Sequence, residues 1–295
     1  MIDCGFPRSL RRSCVSARSV GRRRRVSIVR PCAEGSLCAM IENPSVRVVL
    51  TGLSPDSAVS VRYRGSDGRF VETNLRRLPV DEVLTGLPVR EFRAWRGRRH
   101  YSGWYWSATT GSHVVYESRL ELARILLADR DPDVVAIAAQ PFLMTESVDG
   151  RVHRHVPDLL LAHRDGSLTV VDVKAAERLS VSSVREQFEW TRQVCRAHGF
   201  GFEVWSGADR VFVENVRFLA GYRRPSCVAD SVVAAVLDAV SAPMKIADLE
   251  RRLSGFASPL LVRPAILHLL WRSRLTADLS RVLDGAAIVA AGVVA

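Results

Sequence analysis

Apolar positions along the chain change period several times, and each change marks an element. "SVRVVLTGL" (45–53) and "SAVSVRYR" (57–64) are β-like runs separated by the turn-rich "SPD". "GSDGRF" supplies a further turn before the polar "VETNLRRLPVDEV". From Tyr116 to Ala128 the period becomes helical, with Leu120, Ala123, Leu126 and Leu127 forming a stripe that "DRDP" ends. "VVAIAAQPFLM" predicts a buried strand running into a turn. "HVPDLLLAH", "RDGS" and "LTVVDVKAA" predict strand, turn and strand. "SSVREQFEWTRQVCRAHG" is an amphipathic helix, with Ser182 or Ser183 as its expected cap and Gly199 as its stop. "FGFEVWS" returns as a strand.

This alternation predicts an α/β core over residues 91–224, with a β-rich extension over 40–90 before it. A boundary is expected at "YRRPS", where Pro225 punctuates the chain. Beyond it, "VADSVVAAVLDAV", "MKIADLERRL" and "PAILHLLWRS" are short helical segments, and "RLTADLS…GAAIVAAG" is hairpin-like. Three helices and a hairpin over residues 225–295 are the plan of a winged helix.

Charge changes this picture at one end. The chain has 295 residues and a formal charge of +11, which points to an anionic partner, nucleic acid first. Residues 1–39 hold nine arginines against Asp3 and Glu34, so the tail carries +7 of that charge and the body is only mildly basic. The tail has no sustained apolar period and is expected to be disordered. It resembles a transit peptide in composition. A basic arm and sequence translated upstream of the true start are the other readings, and Met40 favours the last. Four of the six cysteines also lie there, at no metal-like spacing; Cys195 and Cys227 alone in the body suit a reducing cytoplasm. No apolar run is long enough to span a bilayer.

The hairpin on "RDGS" carries the chemistry. A three-residue loop of Arg164, Asp165 and Gly166, with Gly166 left-handed, pairs His163 with Ser167. Counting back sets Asp158 opposite Asp172, with Cβ atoms roughly 4.5–5.5 Å apart. Period two brings Lys174 onto the same face as Asp172. Only Lys174 and Lys245 among 42 basic residues are lysine. A compact ammonium beside two carboxylates suits a site where a planar guanidinium would crowd a cation and a water. Opposed carboxylates repel, and Mg²⁺ or Mn²⁺ removes that cost. A solvated sheet edge is the bland alternative for Asp-x-Lys alone.

"HVPDLLLA" followed by "VVDVKAA", behind an acidic helix, has the layout of the PD-(D/E)xK nucleases. A closer resemblance covers most of residues 91–224. "WRGRRHYSGWYWSATTGSHVVYESRLE", "DPDVVAIAAQPF", "HVPD", "VVDVKAAER" and "NVRFLAGYRRP" resemble the TnsA-like endonuclease subunits of heteromeric transposases. The resemblance implies a restriction-endonuclease-like mixed sheet flanked by helices, with the winged-helix-like unit following. It implies Mg²⁺-dependent cleavage of DNA at the 5′ transposon ends, Mn²⁺ being an alternative ion. It also implies a DDE-type transposase and an AAA+ ATPase regulator as partners, in a bacterial cytoplasm and at the nucleoid when DNA is bound. Carried over residue by residue, the catalytic set is Glu121, Asp158, Asp172 and Lys174, the three carboxylates holding the metal. Glu117, one turn before Glu121 and on the same helix face, is an alternative ligand. Some relatives have Gln where Asp172 stands. A stand-alone repair or restriction nuclease and a non-catalytic winged-helix adaptor are the competing readings.

Other residues carry weaker signals. The aromatic and basic residues of 91–110, Trp95, Tyr101, Trp104, Tyr105 and Trp106 among them, either stack on bases or pack as a lid. Gln140 and Gln187 either position the strand end or DNA, or serve packing and the helix surface. His153 and His155 are phosphate contacts or exposed strand residues, and Cys195 and His198 are helix-face residues. The recognition-helix candidate near "HLLWRSR" carries Arg272 and Arg274. The family's C-terminal region is expected to contact the regulator, so this unit need not read bases.

Overall fold

The computed structural model describes residues 40–42, 47–49, 59–90, 101–148 and 150–292. The expected tail, and the stretch 91–100 of the aromatic and basic run, lie outside them. Strand β1 (Met40–Glu42) pairs antiparallel with β2 (Arg47–Val49). Then come β3 (Ser60–Arg64), β4 (Phe70–Asn74) and the short α1 (Val80–Leu84). The middle stretch runs β5 (Gly103–Trp106), β6 (His113–Tyr116), α2 (Arg119–Arg130), β7 (Val134–Ala139), β8 (Phe142–Val148) and β9 (Arg151–His155). It continues through β10 (Leu159–His163), β11 (Leu168–Val173), α3 (Ser182–Ala197), β12 (Gly201–Trp205) and α4 (Arg210–Leu219). The last elements are α5 (Asp230–Ala239), β13 (Met244–Lys245), α6 (Ile246–Arg252), α7 (Pro259–Trp271), β14 (Leu275–Thr276) and β15 (Ile288–Ala291).

The central sheet has the order β12-β11-β10-β7 and is mixed: β11 runs parallel to β12, and β10 antiparallel to both its neighbours. The parallel pair requires a crossover, and α3 provides it. Side-chain alternation then divides the interior into two cores. Leu159, Leu161, Val171 and Val173 face a core built with α2, α4 and the C-terminal helices. Leu160, Ala162, Leu168 and Val170 face a second core with α3 and the sheet β4-β3-β8-β9. Each fully buried leucine of this sandwich contributes about 1.5–3 kcal/mol. By the same alternation Asp158 and Asp172 belong to the α3 side.

Four expectations need correction. The helix expected from Tyr116 begins at Arg119, because Tyr116 is the last residue of β6, paired with Gly103. Ser118 caps it, its hydroxyl accepting from the Glu121 amide at 3.1 Å. The helix also runs on to Arg130. Neither Ser182 nor Ser183 caps α3; both lie inside it, and Val181 holds the cap position with its carbonyl accepting from Val184 and Arg185. A 3-10 turn over Ala176–Arg178 delivers the chain directly to that start, so no side-chain cap is used. "VETNLRRLPVDEV", read as merely polar, supplies β4 and α1, with Leu75, Leu78, Val80 and Val83 buried.

The C-terminal segments fold as helices with a three-stranded sheet, order β13-β15-β14, so the hairpin gains a third strand from Met244 and Lys245. The first core continues into this region through Val236, Ile266, Leu270 and Trp271. Asn215 of α4 adds polar ties, its amide donating to the carbonyls of Leu279 and Arg281 at 2.8 and 2.6 Å. Among the described residues no helix is long and apolar enough to cross a membrane.

Candidate active site

The hairpin between β10 and β11 sets the site. His163 N donates to Ser167 O at 2.9 Å and Gly166 N to His163 O at 3.0 Å, and Gly166 has φ +86°. That conformation suits glycine because it has no Cβ to clash. The register Leu159↔Val171 follows, and the count continues to Asp158 opposite Asp172. Asp158 Oδ2 accepts from the Val173 amide at 2.7 Å, which holds its carboxylate at the strand end. Lys174 is fixed through its backbone, N donating to Trp205 O at 2.9 Å.

Asp172 is only 2% exposed. Its partner is His155 at the end of β9, whose Nε2–H is shared between both carboxylate oxygens, each 2.8 Å away. His155, expected as a phosphate contact or an exposed strand residue, has its side chain largely buried against Asp172. Only packing of the β8–β9 hairpin over the end of the central sheet brings the two together. His153, two residues earlier, stacks on Trp190 with centroids 5.3 Å apart.

Asp158 feels the crowding. Burial raises its carboxyl to about 7; the Val173 hydrogen bond opposes that, the charges of Asp172 and Glu121 add to it, and His155 offsets part. Glu121 is thus within electrostatic reach of Asp158. Its own carboxyl is pushed up by burial and held back by hydrogen bonds. Those bonds form a capping box: Glu121 Oε2 accepts from Glu117 N at 2.8 Å and Oε1 from the Ser118 hydroxyl at 2.9 Å. "SRLE" at 118–121 carries this signature in the sequence. Glu117 precedes the cap, so the shared helix face expected for Glu117 and Glu121 does not exist.

A cavity of about 300 Å³ opens over this row, lined by Arg90, His155, Asp158, Asp172, Lys174 and the first turns of α3, including Gln187. Gln140 braces its floor from behind: its N donates to Asp158 O at 2.9 Å, and its O accepts from Val89, next to Arg90. It does so at φ +46°, a strained conformation for a side-chain-bearing residue, and its buried Oε1 has no hydrogen-bond partner among the described residues.

Cys195 lies on the buried face of α3, and His198, also buried, is the C-cap residue of that helix. The Cys195 thiol is pushed up to about 12 by burial and then by Asp172, and His198 Nδ1 lies 2.9 Å from Val194 O. Tyr101 and Trp104 are 62% and 64% exposed, whereas Tyr105 is buried, so this run is neither wholly lid nor wholly surface.

Whether a divalent cation fits is a question of donors. Two carboxylates on one face, with a third in electrostatic reach, supply hard oxygens and a mutual repulsion that a cation would relieve. Among the described residues no three His, Cys, Asp or Glu side chains already converge as a metal cage. The chemistry of the set fits, while each carboxylate is engaged by protein donors. No curated protein matches the chain. Residues 131–207, which carry Asp158, Asp172 and Lys174, match the family model described as TnsA-like endonuclease N terminal, so over this stretch the chain is similar to the TnsA-like endonucleases.

Proposed function

We propose that the chain is the metal-dependent DNA endonuclease subunit of a cut-and-paste transposition complex, cutting the 5′ ends of the element. The observation that carries this reading is the register that opposes Asp158 to Asp172 with Lys174 beside them, inside the segment that matches the nuclease family. Asp158 and Asp172 would hold Mg²⁺ or Mn²⁺, with Glu121 joining from α2. Such an ion polarises a phosphoryl oxygen and acidifies a water. Lys174 stabilises charge on the phosphate as a compact ammonium. His155 orients Asp172, and Gln140 fixes the backbone of Asp158.

The C-terminal order α5, β13, α6, α7, β14, β15 supports a winged-helix-like unit over 225–295. In such a unit α7 would be the recognition helix. Its start exposes Leu260 and Leu261, with Phe256 just before it, and Arg263 is paired with Glu250. Apolar exposure at that position supports docking to a protein partner, a DDE-type transposase or AAA+ regulator, over reading bases.

The test is nicking of DNA carrying the element's ends, with the chain alone and with its transposase. Cleavage should require a divalent cation and vanish in Asp158→Ala. Lys174→Arg should lose about 10²–10³ in rate, since a transition-state contact is replaced by a broader fork. Unchanged cleavage in Asp158→Ala would remove the nuclease reading.

A further inference from the structure

We propose that Gln187, acting with Arg90, binds a non-bridging oxygen of the DNA phosphate that enters the carboxylate cavity; this rests on the nuclease reading above. Gln187 sits in the second turn of α3, one turn beyond Ser183, and both line the cavity. A glutamine on a helix surface normally turns its amide to water. Here Nε2 is buried and has no hydrogen-bond partner among the described residues. A buried amide N–H without an acceptor is costly, so its retention in a cavity is a strain kept for a ligand.

The neighbours define that ligand. Across the cavity stand Asp158 and Asp172, and both oxygens of Asp172 are already on His155. Among the described residues the cationic groups of the lining are Lys174 and Arg90, and Arg90 is close enough to lower the Glu121 carboxyl. An amide donor that shares a cavity with two cations calls for an anionic oxygen acceptor. Facing carboxylates require that the same ligand also accommodate a cation between them. A phosphodiester meets both demands, whereas a carboxylate ligand offers a planar fork to a wall with a single arginine among the described residues. Gln187 is thus a positioning residue on the side of the phosphate away from the carboxylates.

The proposal makes stability and function move in opposite directions. In Gln187→Leu the unpaired donor is lost with little change in volume, so the full-length protein should melt at or above the wild-type temperature. Binding of a fluorescein-labelled duplex in Ca²⁺ and single-turnover cleavage in Mn²⁺ should together fall by about 10–100-fold, the scale for a hydrogen bond to a charged group. Gln187→Glu, which replaces donor by acceptor, should be worse in both assays. A melting temperature several degrees below wild type, with binding and cleavage intact, would make the amide a structural group and overturn the proposal. Asp158→Ala is measured alongside. If it abolishes cleavage while Gln187→Leu cuts and binds normally, the phosphate contact alone is wrong. If Asp158→Ala cuts normally, the nuclease reading falls and the contact with it.

Discussion

Two aspartates, one buried and one half-buried, sit on the same scaffold under opposite conditions. Asp129, at the end of α2, is 4% exposed and accepts four hydrogen bonds: the Tyr105 hydroxyl at 2.6 Å, the Ser107 hydroxyl at 2.6 Å, and the Ala108 and Thr109 amides at 3.1 and 2.7 Å. Its charge is fully answered by the β5–β6 turn, which it knots to the helix. Burial and Asp129 together push the Tyr105 phenol upward, so it stays a donor. Arg223 closes the knot over the Tyr105 ring, 4.8 Å from its centroid. Asp158 has one amide and two carboxylate neighbours, and its carboxyl rises to about 7. One carboxylate is saturated with donors and serves the fold. The other is under-donated and raised in energy, which is the condition of a group kept for a ligand.

The largest effect is expected where the donors are many. Asp129→Ala strands two hydroxyls and two amides without an acceptor and should destabilise the protein by more than about 3 kcal/mol. Urea or thermal unfolding reads this directly, and a change under about 1 kcal/mol would mean the knot is ornamental.

The opposite sign is expected at the site. Folded Asp158 keeps its proton up to about pH 7, while the unfolded chain loses it near the ordinary value of 3.8. Between those limits the folded state binds more protons, so stability falls as pH rises through that window. Asp158→Asn has no such proton to lose. It should melt above wild type at pH 8, by about 2–4 °C for each kcal/mol relieved, and the gap should close below about pH 4. A wild-type melting temperature that rises between pH 4 and 7 faster than that of Asp158→Asn would reverse the comparison.

The smallest effect separates two roles of one residue. Glu121 closes a capping box and also lies near Asp158. Glu121→Ala should cost about 1 kcal/mol, and Glu121→Gln much less, because glutamine serves the box as well. If Glu121 also holds the cation, both variants should cut poorly; equal cutting by Glu121→Gln and wild type would leave it a cap only.

What was legible in the sequence was what short-range geometry decides. "RDGS" sets a loop, the loop sets the register, and the register opposes Asp158 to Asp172 with no tertiary information. The cap at Ser118 was equally local, and reading "SRLE" as a capping box would have started α2 correctly and removed Glu117 from its face. The His155–Asp172 pair was not legible, because it depends on one sheet folding over the end of another. Nor was the burial of the Gln187 amide nitrogen, which depends on how α3 lies across the strand ends, or the Asp129 knot, whose donors come from about 20 residues away in sequence.

The central contrast, an under-donated Asp158 against a saturated Asp129, is tested most directly by titrating Mn²⁺ or Mg²⁺ at pH 7.5 while following the melting temperature. A ligand that binds only the folded state raises that temperature in proportion to its occupancy. The wild type should gain several degrees, Asp158→Asn should gain none, and a surface-charge control such as Asp165→Asn should behave as wild type. An equal gain in wild type and Asp158→Asn, or no gain in either, would contradict a cation site between Asp158 and Asp172.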